Sequence, residues 1–182
     1  MREILNNFVL VSGSGRNVGK TTLACNIIRN LSHDYTVFGT KISPHFHKTS
    51  ELQKLIGEGE GFKIYQELNA DSGKDSSRML ESGAREVYFI QCGDDRIKIA
   101  LESISNLLPK DSPIVCESGS FAKTYKPGLH LLVVGEQPDE TKKSYQQNLA
   151  NADFTITRSD FSVKENYFDL KYNGTKWKIN RK

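Results

Sequence analysis

The residue types best suited to chemistry stand together near the N-terminus, in the stretch Ser12-Gly-Ser-Gly-Arg-Asn-Val-Gly-Lys-Thr-Thr22. Its ending, Gly19-Lys20-Thr21, is typical of loops that bind phosphate groups. Small residues let successive backbone N–H groups point at phosphate oxygens, and a helix that begins at the loop adds partial positive charge. We expect Lys20 to reach the outer phosphates of a nucleoside triphosphate and the Thr21 hydroxyl to hold Mg²⁺. The other candidate nucleotide contacts in the loop are Gly15, Arg16, Asn17, Val18, Gly19 and Thr22.

The loop departs from the full phosphate-loop pattern at one position. Ser14 stands where the pattern has glycine, although Gly13 and Gly15 lie on either side of it. A glycine-rich helix start with a solvated lysine is the alternative interpretation. The apolar run before the loop and the helical period after it favour a phosphate-binding loop.

An acidic residue that helps to hold Mg²⁺ is expected at the end of a neighbouring strand. Glu117 meets this expectation, because it closes the apolar run at 113–116 and precedes Ser118-Gly119. Open α/β sheets bind their ligands at the carboxyl ends of strands. We therefore predict that Lys20 and Glu117 are catalytic and that Thr21 and Glu117 bind the metal. A solvated loop glutamate is the alternative, and Asp75 would be the next candidate acid.

These residues need elements that bring distant parts of the chain to one edge of a sheet. Short apolar runs predict strands at 8–11, 35–41, 86–91, 113–117, 130–134 and 154–157, and amphipathic stripes predict helices after residue 19 and over 97–108. This alternation is typical of a mainly parallel sheet that is covered on both faces. We expect a single α/β domain over residues 1–182 with three α/β/α layers.

Two other segments break the alternation. Asn173-Gly174 lies between alternating runs and predicts a C-terminal β-hairpin over about 162–180. The glycines of segment 57–61 indicate a flexible joint ahead of a polar stretch. Neither segment is long enough to separate two domains.

The composition excludes several classes of protein. The 182 residues are 37% apolar and carry a net charge of +3, which supports one folded core and is too small an imbalance to indicate nucleic-acid binding. The cysteines, Cys25, Cys92 and Cys116, lie far apart, which argues against a disulfide framework or a zinc site. The N-terminal apolar run is too short for a signal sequence or a membrane span. We expect a cytoplasmic protein with no membrane or nucleic-acid partner.

Several segments, in order, resemble the molybdopterin-guanine dinucleotide biosynthesis protein B family, the MobB-like proteins. They are the loop at 14–22, then Gly39-Thr-Lys41-Ile-Ser-Pro-His45-Phe-His47, Lys74-Asp75-Ser76-Ser-Arg78 with Ser82-Gly83-Ala84 after it, and Glu117-Ser-Gly119. Ile42 stands where the family has histidine, Ser118 interrupts the family's Glu-Gly pair, and the hairpin has no counterpart.

This resemblance implies a P-loop NTPase fold with GTP and Mg²⁺ as ligands. It also implies assistance in converting molybdopterin to its guanine dinucleotide, with a molybdopterin nucleotidyltransferase as partner protein. The wider class includes dethiobiotin synthetase, a small-molecule kinase of related fold.

The matching segments supply the further pocket candidates Lys41, His45, Asp75 and Arg78. Lys41 either adds a cation for phosphate or substrate or is an ordinary strand-end lysine. Asp75 and Arg78 lie three residues apart and share one face of a predicted helix, where Asp75 alone would also suit a helix start. His45 and His47 are more typical of histidines near a nucleotide than of a metal site, because two imidazoles without a cysteine hold a transition metal poorly.

The segment Thr157-Arg-Ser-Asp160 follows the last strand predicted before the hairpin. It resembles the segment with which GTP-binding proteins recognise guanine, whose N1–H and N2–H groups can both donate to one carboxylate. Adenine has no equivalent pair of donors. Asp160 is therefore the candidate contact to the base, and a plain aspartate in a turn is the alternative.

These features predict a GTP-binding, weakly hydrolysing accessory protein of molybdenum cofactor biosynthesis. Two alternatives stay open: an ATP-dependent small-molecule kinase or ligase, and a non-catalytic adaptor switched by its nucleotide. Assembly of the chain into a homodimer is a further open alternative.

Overall fold

The computed structural model describes residues 2–46, 51–162 and 168–181. Within these ranges the strands are β1 (Glu3–Gly13), β2 (Phe38–Ser43), β3 (Gln53–Gly59), β4 (Phe62–Glu67), β5 (Glu86–Cys92), β6 (Ile114–Glu117), β7 (Tyr125–Val134), β8 (Phe154–Thr157), β9 (Phe168–Tyr172) and β10 (Trp177–Arg181). The helices are α1 (Lys20–Leu31), α2 (Asp75–Glu81), α3 (Ile97–Ser103), α4 (Phe121–Thr124), α5 (Lys143–Asn151) and α6 (Arg158–Ser162). Across the same ranges, every helix is too short or too polar to cross a membrane.

The central sheet has the strand order β3-β4-β5-β2-β6-β1-β7-β8. The strands from β5 to β8 in this order are all parallel to their neighbours, whereas β3 and β4 extend the β5 edge in antiparallel fashion. The prediction of a mixed α/β fold with a mainly parallel sheet is therefore confirmed.

Both faces of the sheet are buried, which explains why the central strands are apolar without alternation. In β1, Val9 and Val11 belong to a core cluster that includes residues of α1 and α2, whereas Phe8 and Leu10 belong to a second cluster with residues of α3 and α4. Successive side chains of a strand point to opposite faces, so each face of the sheet carries one of the two clusters. This arrangement is compatible with three α/β/α layers.

The C-terminal hairpin is present as a separate two-stranded antiparallel sheet, β9–β10. Its turn contains Gly174, whose φ of 90° suits a residue without a side chain. The rings of Tyr172 and Trp177 lie 4.7 Å apart, and the Trp177 indole N–H donates to the Asn6 carbonyl oxygen at 2.8 Å. Leu170 is buried in the core cluster that contains α1. The hairpin prediction is confirmed for 168–181, and residues 163–167 of the predicted range lie outside the described residues.

Three predictions of local structure are wrong. Segment 57–61 is not a flexible joint: β3 and β4 pair through it, and Gly61 (φ 78°) forms their turn. The second strand begins at Phe38, because only from there does the chain pair with β6, while the Tyr35 N–H still bonds to the end of α1. The 97–108 stripe is a helix only to Ser103, after which a 3₁₀ turn continues it.

Candidate functional site

The carboxyl ends of three adjacent parallel strands form the base of the site. β6 lies between β1 and β2, with Glu117 opposite Val11 on one side and Lys41 on the other. Parallel neighbours end at the same edge, so residues that are 76 positions apart, Lys41 and Glu117, come into contact. The loop at 14–19 continues from β1 over this edge and leads into α1.

Ser14 anchors the loop at the position where the phosphate-loop pattern has glycine. Its backbone N–H donates to the Val133 carbonyl oxygen at 2.9 Å, and its hydroxyl oxygen accepts a hydrogen bond from the Gly135 N–H at 2.9 Å. The Ser14 side chain is buried. The departure from the pattern therefore has a structural reason, because this serine ties the loop to the end of β7.

Glycines allow the loop to fold tightly around the Lys20 side chain. A Cβ atom at Gly13 would lie 2.8 Å from Lys20 Cδ and from a Val18 methyl group, and Gly19 adopts a left-handed φ of 103°. The Lys20 ammonium donates to the Gly15 carbonyl oxygen. Burial lowers the pKa of Lys20, and the Glu117 carboxylate opposes this shift only in part.

Thr21, Lys41, Asp75 and Glu117 form one hydrogen-bonded network. The Thr21 hydroxyl donates to Glu117 Oε2 at 2.8 Å, and Lys41 Nζ donates to Glu117 Oε1. Lys41 Nζ also lies 2.8 Å from Asp75 Oδ2. Although burial by itself opposes both changes, the ion pairs raise the pKa of Lys41 and lower that of Asp75. Two carboxylates and one hydroxyl thus converge beside the loop at 14–19.

These residues line a cavity of about 500 Å³. It is lined by six lysine and arginine side chains against only two acidic ones, so it suits an anionic ligand. Its lining comprises Gly13, Gly15, Arg16, Asn17, Gly19, Lys20, Thr21, Thr22, Lys41, Ile42, Ser43, Pro44, His45, Asp75, Arg78, Glu117, Ser118, Gly119, Lys142, Ser144 and Arg158.

The structure brings most of the sequence-predicted site residues into this one cavity. All four further pocket candidates line it; Arg78 donates to the Thr22 hydroxyl at 3.3 Å, and Arg16 lies 3.3 Å from the His45 ring. Of the loop candidates only Val18 is missing from the lining, and it is partly buried against the core. His47 lies outside the described residues.

Sequence reasoning missed three cationic or hydroxyl residues of the lining: Lys142, Ser144 and Arg158. Lys142 and Ser144 lie at the start of α5, and no local pattern links that segment to the loop. Arg158 lies inside the segment that resembles a guanine-recognition motif, in which Asp160 was the predicted contact. The packing of α5 against β1 and β7 brings Lys142 and Ser144 to the cavity, and the pairing of β8 with β7 brings Arg158 there.

Asp160 lies outside this lining. Its Oδ2 atom accepts hydrogen bonds from the Thr157 N–H at 2.6 Å and the Thr157 hydroxyl at 2.8 Å, so it ties the first turn of α6 to the last residue of β8. Thr157, Arg158 and Ser159 line an adjoining cavity of about 540 Å³, together with Asn17 and Val18 of the loop. That cavity therefore lies between the loop at 14–19 and the segment that resembles a guanine-recognition motif.

Comparison with known proteins adds no family assignment. A scan of the sequence against protein-family models finds no match, and a search of curated proteins finds none either.

Proposed function

We propose that this chain is a P-loop NTPase domain that binds a nucleoside triphosphate together with Mg²⁺ in the 500 Å³ cavity. One observation carries the proposal: the Thr21 hydroxyl, in the first turn of α1, donates at 2.8 Å to the buried Glu117 carboxylate beside Lys20. A helix start, a lysine, a hydroxyl and a strand-end acid are the parts that phosphate binding with a metal requires.

The oxygens at this point suit Mg²⁺. Mg²⁺ is bound in proteins by one or two carboxylates with phosphate oxygens and water, not by a cage of protein ligands. Thr21 and Glu117 would hold it, and the ion would neutralise charge on the phosphates when bound. In the described ranges there is no group of three or more His, Cys, Asp or Glu that could hold a metal.

The remaining cavity residues have roles that follow from their charge and position. Backbone N–H groups of the loop and the Lys20 ammonium would hold the phosphates, and Arg16 and Arg78 would add positive charge at the rim. The adjoining cavity, lined by Thr157 and Arg158, has room for the base. The resemblance favours guanine, and so GTP over ATP, as the bound nucleotide.

The pathway in this proposal comes from the resemblance. It makes the chain a weakly hydrolysing accessory protein in the formation of molybdopterin guanine dinucleotide. A purified molybdopterin nucleotidyltransferase from the same cell should then form a complex with it when GTP and Mg²⁺ are present. If sedimentation detects no complex with GTP or with ATP, this role is contradicted. The proposal that the chain binds a triphosphate would still stand.

Calorimetric titration with non-hydrolysable GTP and ATP analogues tests the binding itself. We expect tight binding that needs Mg²⁺, and we expect Glu117→Gln to weaken the dependence on Mg²⁺ more than it weakens binding measured at saturating Mg²⁺. Glu102→Gln is the matched control, since Glu102 is exposed on α3, outside the cavity, and pairs with Lys98 in the same helix. Equal Mg²⁺ titrations for wild type and Glu117→Gln would contradict the metal role of Glu117. No binding of either analogue would overturn the proposed function.

A second candidate function is a small-molecule kinase, and one observation favours it. Lys41, Ser43 and Asp75 also line a further cavity of about 360 Å³, on whose wall lie Gln53, Lys74, Ser76 and Phe89. Gln53 and Ser76 are buried, and both donate to the buried Glu67 carboxylate at 2.7 Å. A hydrogen-bonded polar wall next to the phosphate cavity would suit binding of the small molecule that accepts the phosphoryl group. Preference for ATP over GTP would favour this function.

A further inference from the structure

Lys41 lies between two carboxylates that come from different elements. Its ammonium, on β2, contacts Glu117 Oε1 at the end of β6 and Asp75 Oδ2 at the start of α2. Lys41 is 16% exposed and Glu117 1% exposed, whereas Asp75 is 46% exposed. The pair between Lys41 and Glu117 is therefore largely shielded from water, and the contact with Asp75 is at the rim.

A carboxylate that is almost wholly buried needs a positive charge nearby, because burial of an unpaired charge is very unfavourable. Lys41 supplies that charge to one oxygen of Glu117, and the Thr21 hydroxyl donates to the other. Both oxygens of the carboxylate that would face a metal ion are thus already engaged by the protein. A divalent cation at Thr21 and Glu117 would be repelled by the Lys41 ammonium.

The cavity as a whole is lined by six cationic side chains against two acidic ones, but four charged groups at its Thr21–Glu117 end balance one another. Lys20 and Lys41 contribute two positive charges, and Glu117 and Asp75 contribute two negative ones. A bare divalent cation would leave this group with excess positive charge, whereas a cation carried by a triphosphate brings compensating negative charge with it. The electrostatic balance therefore favours the metal–nucleotide complex over the free metal ion.

We propose that Lys41 is a built-in counter-cation of Glu117 that keeps divalent cations from binding unless a triphosphate brings them. This inference rests on the proposed function in that the metal and the nucleotide share the Thr21–Glu117 end of the cavity. Lys41 is in this sense a positioning residue. It fixes one oxygen of the Glu117 carboxylate, and it makes binding of the metal depend on binding of the nucleotide. Such coupling is reciprocal, so the metal should strengthen binding of the nucleotide as well.

The test is metal binding without nucleotide, with Mn²⁺ as the probe and free Mn²⁺ measured by electron paramagnetic resonance. Wild type should bind Mn²⁺ weakly, and Lys41→Met should bind it at least tenfold more tightly, because Glu117 and Asp75 then lack their cation. Mn²⁺ should also raise the melting temperature of Lys41→Met by several degrees and leave that of the wild type unchanged. If Lys41→Met does not fold, Lys41→Gln replaces it, since the amide can still donate to Glu117.

Two controls separate this effect from a general loss of charge. Lys74→Met removes a lysine that lines the neighbouring cavity without being paired to Glu117, and it should leave Mn²⁺ binding unchanged. Glu117→Gln added to Lys41→Met should abolish the gain. Equal Mn²⁺ affinity for wild type, Lys41→Met and Lys41→Gln would overturn the inference, as would tight Mn²⁺ binding by wild type. Because no nucleotide is present, these results are independent of whether the chain binds GTP or ATP.

Discussion

The glycine-rich loop at 14–19 and the cluster of Lys41, Asp75 and Glu117 face the same cavity but are assembled differently. The loop is one continuous stretch in which Gly13 and Gly19 each meet a local conformational requirement, and Ser14 ties it to a distant strand. The cluster joins three elements whose residues are tens of positions apart, and it exists only because β2 and β6 are neighbours in the sheet.

This difference separates the contributions of the two regions to stability and to binding. The Lys20 ammonium donates to a loop carbonyl, and burial lowers its pKa, so we expect the fold to tolerate its loss. Lys41 and Glu117 are paired in a largely buried position, so losing either one leaves an unbalanced charge in the protein. We expect mutations in the loop to affect binding first and mutations in the cluster to affect stability first.

The largest expected effect is on stability, from Glu117→Ala. Removal of one partner of a buried ion pair typically costs about 3–5 kcal/mol, and the remaining contact with Asp75 places this variant at about 3 kcal/mol. Unfolding in urea measures the change in the free energy of unfolding. Glu102→Ala removes an exposed carboxylate from the pair with Lys98 and should change stability by less than about 0.5 kcal/mol. Equal losses of stability for Glu117→Ala and Glu102→Ala would contradict the expectation that mutations in the cluster affect stability first.

The next prediction concerns the pH dependence of stability, to which the buried side chain of His130 contributes. It is buried in β7, and its Nε2 atom lies 2.8 Å from the hydroxyl oxygen of Ser12, just before the loop. Burial lowers the pKa of His130 to about 4, below the ordinary value of about 6.5.

The folded state therefore binds the proton less readily than the unfolded state. The contribution of uncharged His130 to the free energy of unfolding should be complete above about pH 6.5. It should decrease by about 3 kcal/mol in total as the pH falls towards 4. Thermal unfolding across this range measures the slope. His130→Gln should reduce the slope, and His33→Gln, at an exposed position, should keep it. An unchanged slope in His130→Gln would assign the effect to other groups.

Lys20→Ala should have the opposite profile to Glu117→Ala. Triphosphate binding should weaken at least a hundredfold, or about 2.7 kcal/mol, while the melting temperature without ligand stays within about 2 °C of wild type. Lys98→Ala removes the same charge from an exposed position on α3 and should change neither quantity. Binding of both triphosphate analogues at wild-type affinity would mean that the loop does not bind phosphate.

The smallest expected effect concerns the choice of base. If Asp160 recognises guanine, GTP should bind at least tenfold more tightly than ATP, or by about 1.4 kcal/mol, and Asp160→Asn should lose most of this preference. The physical reason is that an amide offers one acceptor where guanine presents two donors. Asp71→Asn, at an exposed position, is the control in the same competition experiment. ATP binding as tightly as GTP would contradict the guanine assignment and favour the kinase.

Much of this fold was predictable because the signals were local. The apolar run at 8–11 predicted a strand because both faces of the central sheet bury such residues. The strand at 154–157 lies at the edge of the sheet, and there only Ile156 is fully buried while Thr155 and Thr157 are exposed. Asn173-Gly174 predicted a hairpin because few other pairs accept the backbone of a tight turn. The β3–β4 hairpin was missed because its residues are mixed in polarity, and pairing with β5, not composition, holds it in the sheet.

The sequence by itself determined the glycine-rich turn into α1, because backbone conformation at Gly19 and the helix start at Lys20 depend on neighbouring residues. Phosphate binding by this loop stays a prediction. The sequence also identified Lys41, Asp75 and Glu117 one by one, through strand ends and resemblance. Only the tertiary structure decided that these three share one ion-pair network, that Ser14 anchors the loop to Gly135, and that Arg158 lines the cavity instead of Asp160. The reason is that strand order and the register between strands decide which distant side chains meet, and no local pattern carries that information.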